Sequence, residues 1–243
     1  MAVVTEQPSH IKGGHSEVKT DLPTSLQLLS TATEVTVKQH IDSAEVVLCC
    51  FNRPCRYSVY IDDKEDQLFY VQEVSECYAR QIMGAARGFA LKFSDDDMFD
   101  IIKVVRPQTC SRGSCGICCT LPTLEVQTPP GSTVGTIKER RTCCLPTYDI
   151  LGADNEVMYS LSFACQTCKS LLCCDSHVDI RDTNGHKVAE LVKQANCSDC
   201  IGRTNDFTIT YTTDLTVKEK VLILGAMFLV DFHHFERQNR CCC

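Results

Sequence analysis

The sequence predicts a mainly β protein of about twelve strands, forming a closed β-barrel from two pseudo-repeats around a central hydrophobic C-terminal α-helix. Three observations carry that expectation. Short segments of alternating apolar and polar residues recur between turn signals, their order repeats once, and one late segment is apolar on every side.

Residues 1–24 are polar, contain Pro8, Gly13, Gly14 and Pro23, and lack periodicity, so they read as a disordered tail. Residues 25–42 hold a short helix leading into a strand, and AEVVLCCF (44–51) has the β-branched run of a buried strand. Tyr57, Val59 and Ile61 then alternate, the acidic stretch DDKED turns the chain, and a return strand runs through Leu68, Tyr70 and Gln72. A second hairpin has Leu91 and Phe93 on one arm, SDDD at its tip, and Phe99 to Val105 on the other. The third, 123–139, turns at Pro129-Pro130-Gly131.

The same units come round again. Tyr57 and Asp63 match Tyr148 and Asp154 at an offset of 91. Leu91, Phe93, Asp95 and Ile101 match Val178, Ile180, Asp182 and Val188 at an offset of 87, the second copy turning through Thr183-Asn184-Gly185. Leu124 and Val126 match Phe207 and Ile209 at an offset of 83.

Thr216-Val217-Lys218-Glu219 has the capping-box form and opens a helix over 217–236. From Val221 to Val230 every residue is apolar or Gly, so the helix is enclosed by protein or placed in lipid. Spanning a bilayer takes about 17–25 apolar residues. This run has ten before Asp231, with His233, His234 and Glu236 close behind, which favours a core helix over a membrane helix. Val221, Leu222, Leu224, Gly225, Phe228 and Leu229 are its expected core positions, with the histidines at its polar end. A sheet closed around such a helix leaves no free edge.

Composition narrows the function classes. Lys+Arg 24 against Asp+Glu 31 gives a net charge of −7 with no basic block, so nucleic acid is not an expected partner. No secretory signal is legible at the start, and the 19 cysteines are therefore expected to face a reducing compartment, where metal ligation or acylation is commoner than disulfides. Cys115-x-x-Cys118, Cys165-x-x-Cys168 and Cys197-x-x-Cys200 each offer two of the four ligands that Zn²⁺ requires, although a hairpin falls within the 28 residues separating the last two pairs. Cys110, Cys115, Cys118 and Cys119 lie in a Gly/Ser-containing loop suited to acylation, and Cys241, Cys242 and Cys243 form a second candidate group in the tail 237–243. Arg240 stands where a C-a-a-X signal needs Cys. Cys49 and Cys165 read as small buried hydrophobes. No phosphate-binding loop, nucleophile elbow or His-Glu-x-x-His is present, so covalent catalysis is not expected.

VVRPQTC (104–110), CSRGSCGICC (110–119), LEVQTPPGSTVGTI (124–137), CCLPTYDI (143–150) and DLTVKEKVLILGAMFLVDFHHFE (214–236) together make the chain resemble the phospholipid scramblase family over about residues 30–236. The resemblance implies a tubby-like barrel domain over 25–236. It implies Ca²⁺-triggered, ATP-independent, bidirectional movement of membrane phospholipids between leaflets. It also implies palmitoylated cysteines on the cytoplasmic face of the plasma membrane, with a soluble or nuclear pool when unacylated. The second reading is a lipid-anchored adaptor that moves no lipid.

Two departures stand out. The family often carries Pro-rich N-terminal ligands for SH3 and WW domains, and residues 1–24 hold no such motif. The family's Ca²⁺ segment corresponds to RTNDFTITYTTD (203–214), where Arg203 and Asn205 replace acidic residues and Asp214 remains. Asn205, Asp206 and Asp214 are the candidate ligands, yet six to eight oxygens must converge on Ca²⁺, and Phe207, Ile209 and Tyr211 alternate with threonines as in a strand, which does not wrap an ion.

Overall fold

The structure, a computed structural model, describes residues 23–40, 54–62, 64–83, 87–108, 121–129, 131–140, 142, 146–163, 175–194 and 206–235. Helix α1 (Thr24–Thr31) leads into β1 (Glu34–His40), as the sequence predicts for 25–42. Then come β2 (Arg56–Ile61), β3 (Phe69–Val74), helix α2 (Cys77–Ile82), β4 (Phe89–Ser94), β5 (Asp100–Arg106), β6 (Thr123–Thr128) and β7 (Ser132–Arg140). The second half holds β8 (Thr147–Gly152), β9 (Val157–Phe163), β10 (Ser176–Asp182), β11 (Lys187–Lys193), β12 (Phe207–Tyr211) and helix α3 (Val217–Val230). The strand expected at 44–51, residues 1–22 of the tail expected over 1–24, and the tail expected over 237–243 lie outside the described residues, while Thr24 already belongs to α1.

The twelve strands form one closed barrel in sequence order, every neighbour antiparallel, with β12 returning to β1 through Val35 opposite Ile209. Apolar side chains alternate inward around the ring. Two corrections concern β3 and its surroundings. Its inward residues are Phe69, Val71 and Glu73, which puts Tyr70 and Gln72 on the outer wall, while Leu68 is buried just ahead of the strand. The connection to β4 contains α2, which the sequence pattern did not signal.

The duplication is visible in backbone detail. Each strand of the first half corresponds to the one six places on, so matched strands stand on opposite walls. In the β4–β5 hairpin the register shifts between Phe93 and Ser94, and in β10–β11 between Ile180 and Arg181, the same place at the offset of 87. Both turns close with equivalent bonds, Met98 N–H to Asp95 O (3.0 Å) and Gly185 N–H to Asp182 O (3.1 Å). Met98 and Gly185 both have positive φ, +62° and +85°. That conformation suits Gly185 and is uncommon for methionine.

Helix α3 fills the barrel. Residues Val221 to Val230 are buried all round, as expected of a helix with no polar face. Phe228 packs edge-on against Tyr57 and Phe93 at centroid distances of 5.0 and 5.5 Å. Two glycines let helix and wall meet. A Cβ on Gly225 would stand 2.9 Å from Val126 Cγ2, and one on Gly135 would stand 2.2 Å from Leu151 O and 2.8 Å from Leu222 Cδ2. The expected helix over 217–236 is α-helical only to Val230, after which Asp231–Phe235 form a π-helical turn. Among the described residues no helix is long and apolar enough to cross a membrane.

Antiparallel order gives the barrel two unlike ends. Connections after β2, β4, β6, β8 and β10 are short turns at the end where α3 begins. Connections after the odd-numbered strands join strand ends at the opposite rim, where α3 ends.

Candidate functional site

At the first end, α3 starts on a complete capping box. Thr216 Oγ1 accepts from Glu219 N–H (3.4 Å), and Glu219 Oε2 accepts from Thr216 N–H (2.7 Å). Tyr159 donates to Glu219 Oε1 (2.6 Å) from the wall. Burial opposes the Glu219 charge, but the bonds from Tyr159 and Thr216 outweigh it and hold the carboxyl below its ordinary value. Lys220 is buried and donates to the carbonyls of Ser30 (2.6 Å) and Ala32 (2.8 Å), which ties α1 across this end. Burial pushes its ammonium below the usual lysine range, against the attraction of Asp214 and Asp62.

The other end is built from buried polar and aromatic groups. Tyr57 donates to Asp231 Oδ2 (2.8 Å). Tyr148, its partner in the duplication, has its hydroxyl 2.6 Å from both His233 Nδ1 and His234 Nε2. The matched tyrosines therefore grip the π-helical turn from opposite walls. His233 Nδ1 also lies 3.9 Å from Glu139 Oε2. Phe232 stacks on Phe89 at 4.2 Å, with the Arg87 guanidinium over both rings.

Arg87 and Glu73 form an ion pair (2.8 Å) with side chains 1 and 0 % exposed. Glu73 further accepts from Cys55 N–H (2.9 Å) and Ser75 Oγ–H (2.6 Å). Burial alone would raise this carboxyl, and Arg87, Cys55 and Ser75 together hold it below the usual glutamate value instead. A π-helical turn in an otherwise α-helical segment and a cluster of enclosed charges make this the distinctive end.

The predicted positions distribute unevenly. Val221, Leu222, Leu224, Gly225, Phe228 and Leu229 all lie in the barrel interior. His233 and His234 stand at the polar end of the helix, as expected, bonded to Tyr148. Asp206 precedes β12 and Asp214 follows it, so the strand separates them and they do not converge on one ion; Asn205 lies outside the described residues. Cys110, Cys115, Cys118, Cys119, Cys241, Cys242 and Cys243 lie outside the described residues, as do the Cys-x-x-Cys pairs. Among the described residues, no group of three or more His, Cys, Asp or Glu is placed to hold a metal.

Connectivity nonetheless sorts the cysteines. All 19 belong to connections that start and finish on described strand ends at the α3-terminal rim, or to the segment after Phe235. None falls in a turn at the capped end. Cys55 is half-buried and Cys77 is exposed on α2. The Glu73–Arg87 pair was missed by sequence reasoning, although Glu73 falls in the inward phase set by Phe69 and Val71.

Comparison with known proteins gives consistent relatives. The chain is 29% identical over 220 residues to phospholipid scramblase 1 of Rattus norvegicus, covering 89% of this chain and 64% of that protein. It is 31% identical over 222 residues to phospholipid scramblase 4 of Homo sapiens, covering 88% of this chain and 65% of the relative. Human phospholipid scramblase family member 5 is 27% identical over 220 residues, covering 88% of this chain and 78% of that protein. The chain thus spans just under two thirds of the length of the first two. No solved structure matches it. The Scramblase family model matches residues 13–237, a stretch that takes in every described strand and the whole central helix, and on that match the chain belongs to the scramblase family.

Proposed function

We propose that this protein handles membrane phospholipids, moving them in both directions between leaflets without ATP and without covalent chemistry. The observation that carries this reading is the family match over residues 13–237. The absence of a phosphate-binding loop from the sequence agrees with it. The Ca²⁺ trigger that the family implies is a further part of this reading, although Asp206 and Asp214 stand at opposite ends of β12 and would not bind one ion together.

Liposomes holding the purified chain and a fluorescent phospholipid, with dithionite added outside, test the reading. Loss of signal beyond the outer-leaflet half is the expected result. Quenching that stalls near half, both with and without Ca²⁺, would overturn it.

The protein meets the cytoplasmic face of the plasma membrane through acylated cysteines of the connection between β5 and β6. With a net charge of −7, apolar anchoring must provide most of the attachment. One acyl chain binds weakly, so two or three on Cys110, Cys115, Cys118 and Cys119 give stable anchoring. Replacing those four by Ala should move much of the protein to a soluble or nuclear pool, with a smaller effect from Cys241–Cys243, read by membrane fractionation beside hydroxylamine-sensitive acyl labelling. Full retention after loss of the label would count against it.

The second reading is an anchored adaptor that moves no lipid. The enclosed helix favours it: α3 is buried on all sides by the barrel wall, and charged headgroups need a polar route through hydrocarbon. The dithionite assay separates the two.

A further inference from the structure

The outer wall beside the α3-terminal rim carries a surface that core packing does not explain. Helix α2 turns Arg80 inward, where Nη1 bonds Ser75 O and Oγ. Its other side leaves Tyr78 and Ile82, one turn apart, 67 and 66 % exposed. The chain enters α2 from Val74, itself 49 % exposed at the end of β3. Val74 pairs with Ala90, and Ala90 with Val105, so an outward apolar row continues from α2 across three strands.

A second row lies two residues further from the rim. Arg56 pairs with Gln72, Gln72 with Lys92, and Lys92 with Lys103. At about 3.4 Å per residue, these cations sit roughly 7 Å behind the apolar row. Lys92 bonds Asp100 (2.8 Å), but Asp100 lies beyond both lysines, toward the capped end. Within the strip, Arg56, Lys92 and Lys103 stand against Glu76 and Glu125, with Asp100 facing both lysines from just beyond it.

Apolar residues leading, a tyrosine among them, and long cationic side chains set back is the arrangement that suits the boundary of a bilayer: the first reach the acyl region and the second the phosphates. We propose that Val74, Tyr78 and Ile82, with Lys92, Lys103 and Arg56 behind them, dock on an anionic phospholipid surface and turn the α3-terminal rim toward it. This rests on the membrane reading above and adds to it a defined contact face that works before any acyl chain is attached.

The test uses the full chain, purified without acylation, floated with vesicles of phosphatidylcholine alone or with phosphatidylserine. The wild type should float with the anionic vesicles, less so at high salt. Tyr78→Ser with Ile82→Ser should lower the partition coefficient tenfold or more, the scale of two exposed apolar side chains losing their buried area. Lys103→Gln should lower binding to the anionic vesicles about fivefold and leave binding to neutral ones unchanged. All these side chains are exposed or on the outer wall, so circular dichroism melting should confirm an intact barrel. Equal flotation of the double variant and wild type would overturn the proposal. So would loss of self-association or of a protein cross-link in the variant, with flotation unchanged. Dithionite quenching by the wild type reports on lipid movement separately: quenching beyond half with a double variant that floats normally rejects the docking face alone, and stalled quenching with lost flotation rejects lipid movement alone.

Discussion

The two ends of the barrel hold the same helix by different means. At the end where it begins, a local device is at work: the turns close on backbone bonds and residues three apart cap the helix, to which Lys220 adds bonds to Ser30 and Ala32, 190 and 188 positions away. At the end where it stops, the contacts join residues far apart in sequence, 174 positions between Tyr57 and Asp231 and 85 between Tyr148 and His233. Local contacts cost little chain entropy to form, whereas distant ones form only once the barrel has brought its walls together. The bonds that hold the π-helical turn to the wall therefore form only when the ring is closed, whereas the capping box can form within the helix itself. The π-helical end is also the end whose strand ends flank the cysteine-bearing connections.

Substitutions can break or sharpen that contrast. Two sit at the top, each expected to cost about 3–5 kcal/mol in chemical denaturation. Glu73→Ala leaves Arg87 charged, buried and without its carboxylate. Replacing both residues, Glu73→Leu with Arg87→Met, should recover most of that loss, because the penalty comes from the orphaned charge. Phe228→Ala instead opens a cavity between Tyr57 and Phe93. A β-sheet melting transition unmoved by Phe228→Ala would mean that the helix does not fill the barrel.

Acid sharpens the comparison from the same residue. The folded Glu73 pKa is depressed below its ordinary 4.5, so the ionised pair contributes stability above the unfolded value, and that contribution is lost as pH falls through the lower folded value. Stability measured against pH should fall more steeply below about 4.5 in the wild type than in the Glu73→Leu/Arg87→Met variant.

Gly225→Leu should cost less, about 1–3 kcal/mol, by driving α3 against Val126 and Ile137 midway between the ends. The smallest effect belongs to the capped end: Thr216→Ala should cost about 1 kcal/mol. Thermal unfolding of the pair reads the order, and a Thr216 loss as large as that of Glu73 would erase the contrast between the ends.

The barrel was legible because its physics is periodic. Alternation marked the hairpin arms, the offset of 87 carried over to a shared register shift and a shared positive-φ position, and the ten apolar residues before Asp231 identified the core helix. What escaped detection lacks a period. Helix α2 has six residues, too few for a helical pattern to emerge, and with Arg80 inward and Tyr78 outward it inverts the usual polarity. The π-helical turn follows a run that reads as continuous helix, and its distinction lies in bonds to Tyr57 and Tyr148 that only the closed ring supplies. Tyr57 and Tyr148 were matched by the repeat, but their common task was not deducible from spacing. The candidate Ca²⁺ residues were separable on sequence grounds, since a strand between Asp206 and Asp214 holds them apart.

The filling of the barrel follows its wall in the chain. During synthesis from the N-terminus, all twelve strands precede the helix that occupies their interior, and β1 waits for β12 before the ring can close. Until residues 217–235 emerge, the inward faces of the wall have nothing of their own to bury against, a state prone to non-native association and to chaperone capture. A premature stop or frameshift shortly before residue 217 would thus delete the core, and would be expected to remove the folded barrel altogether.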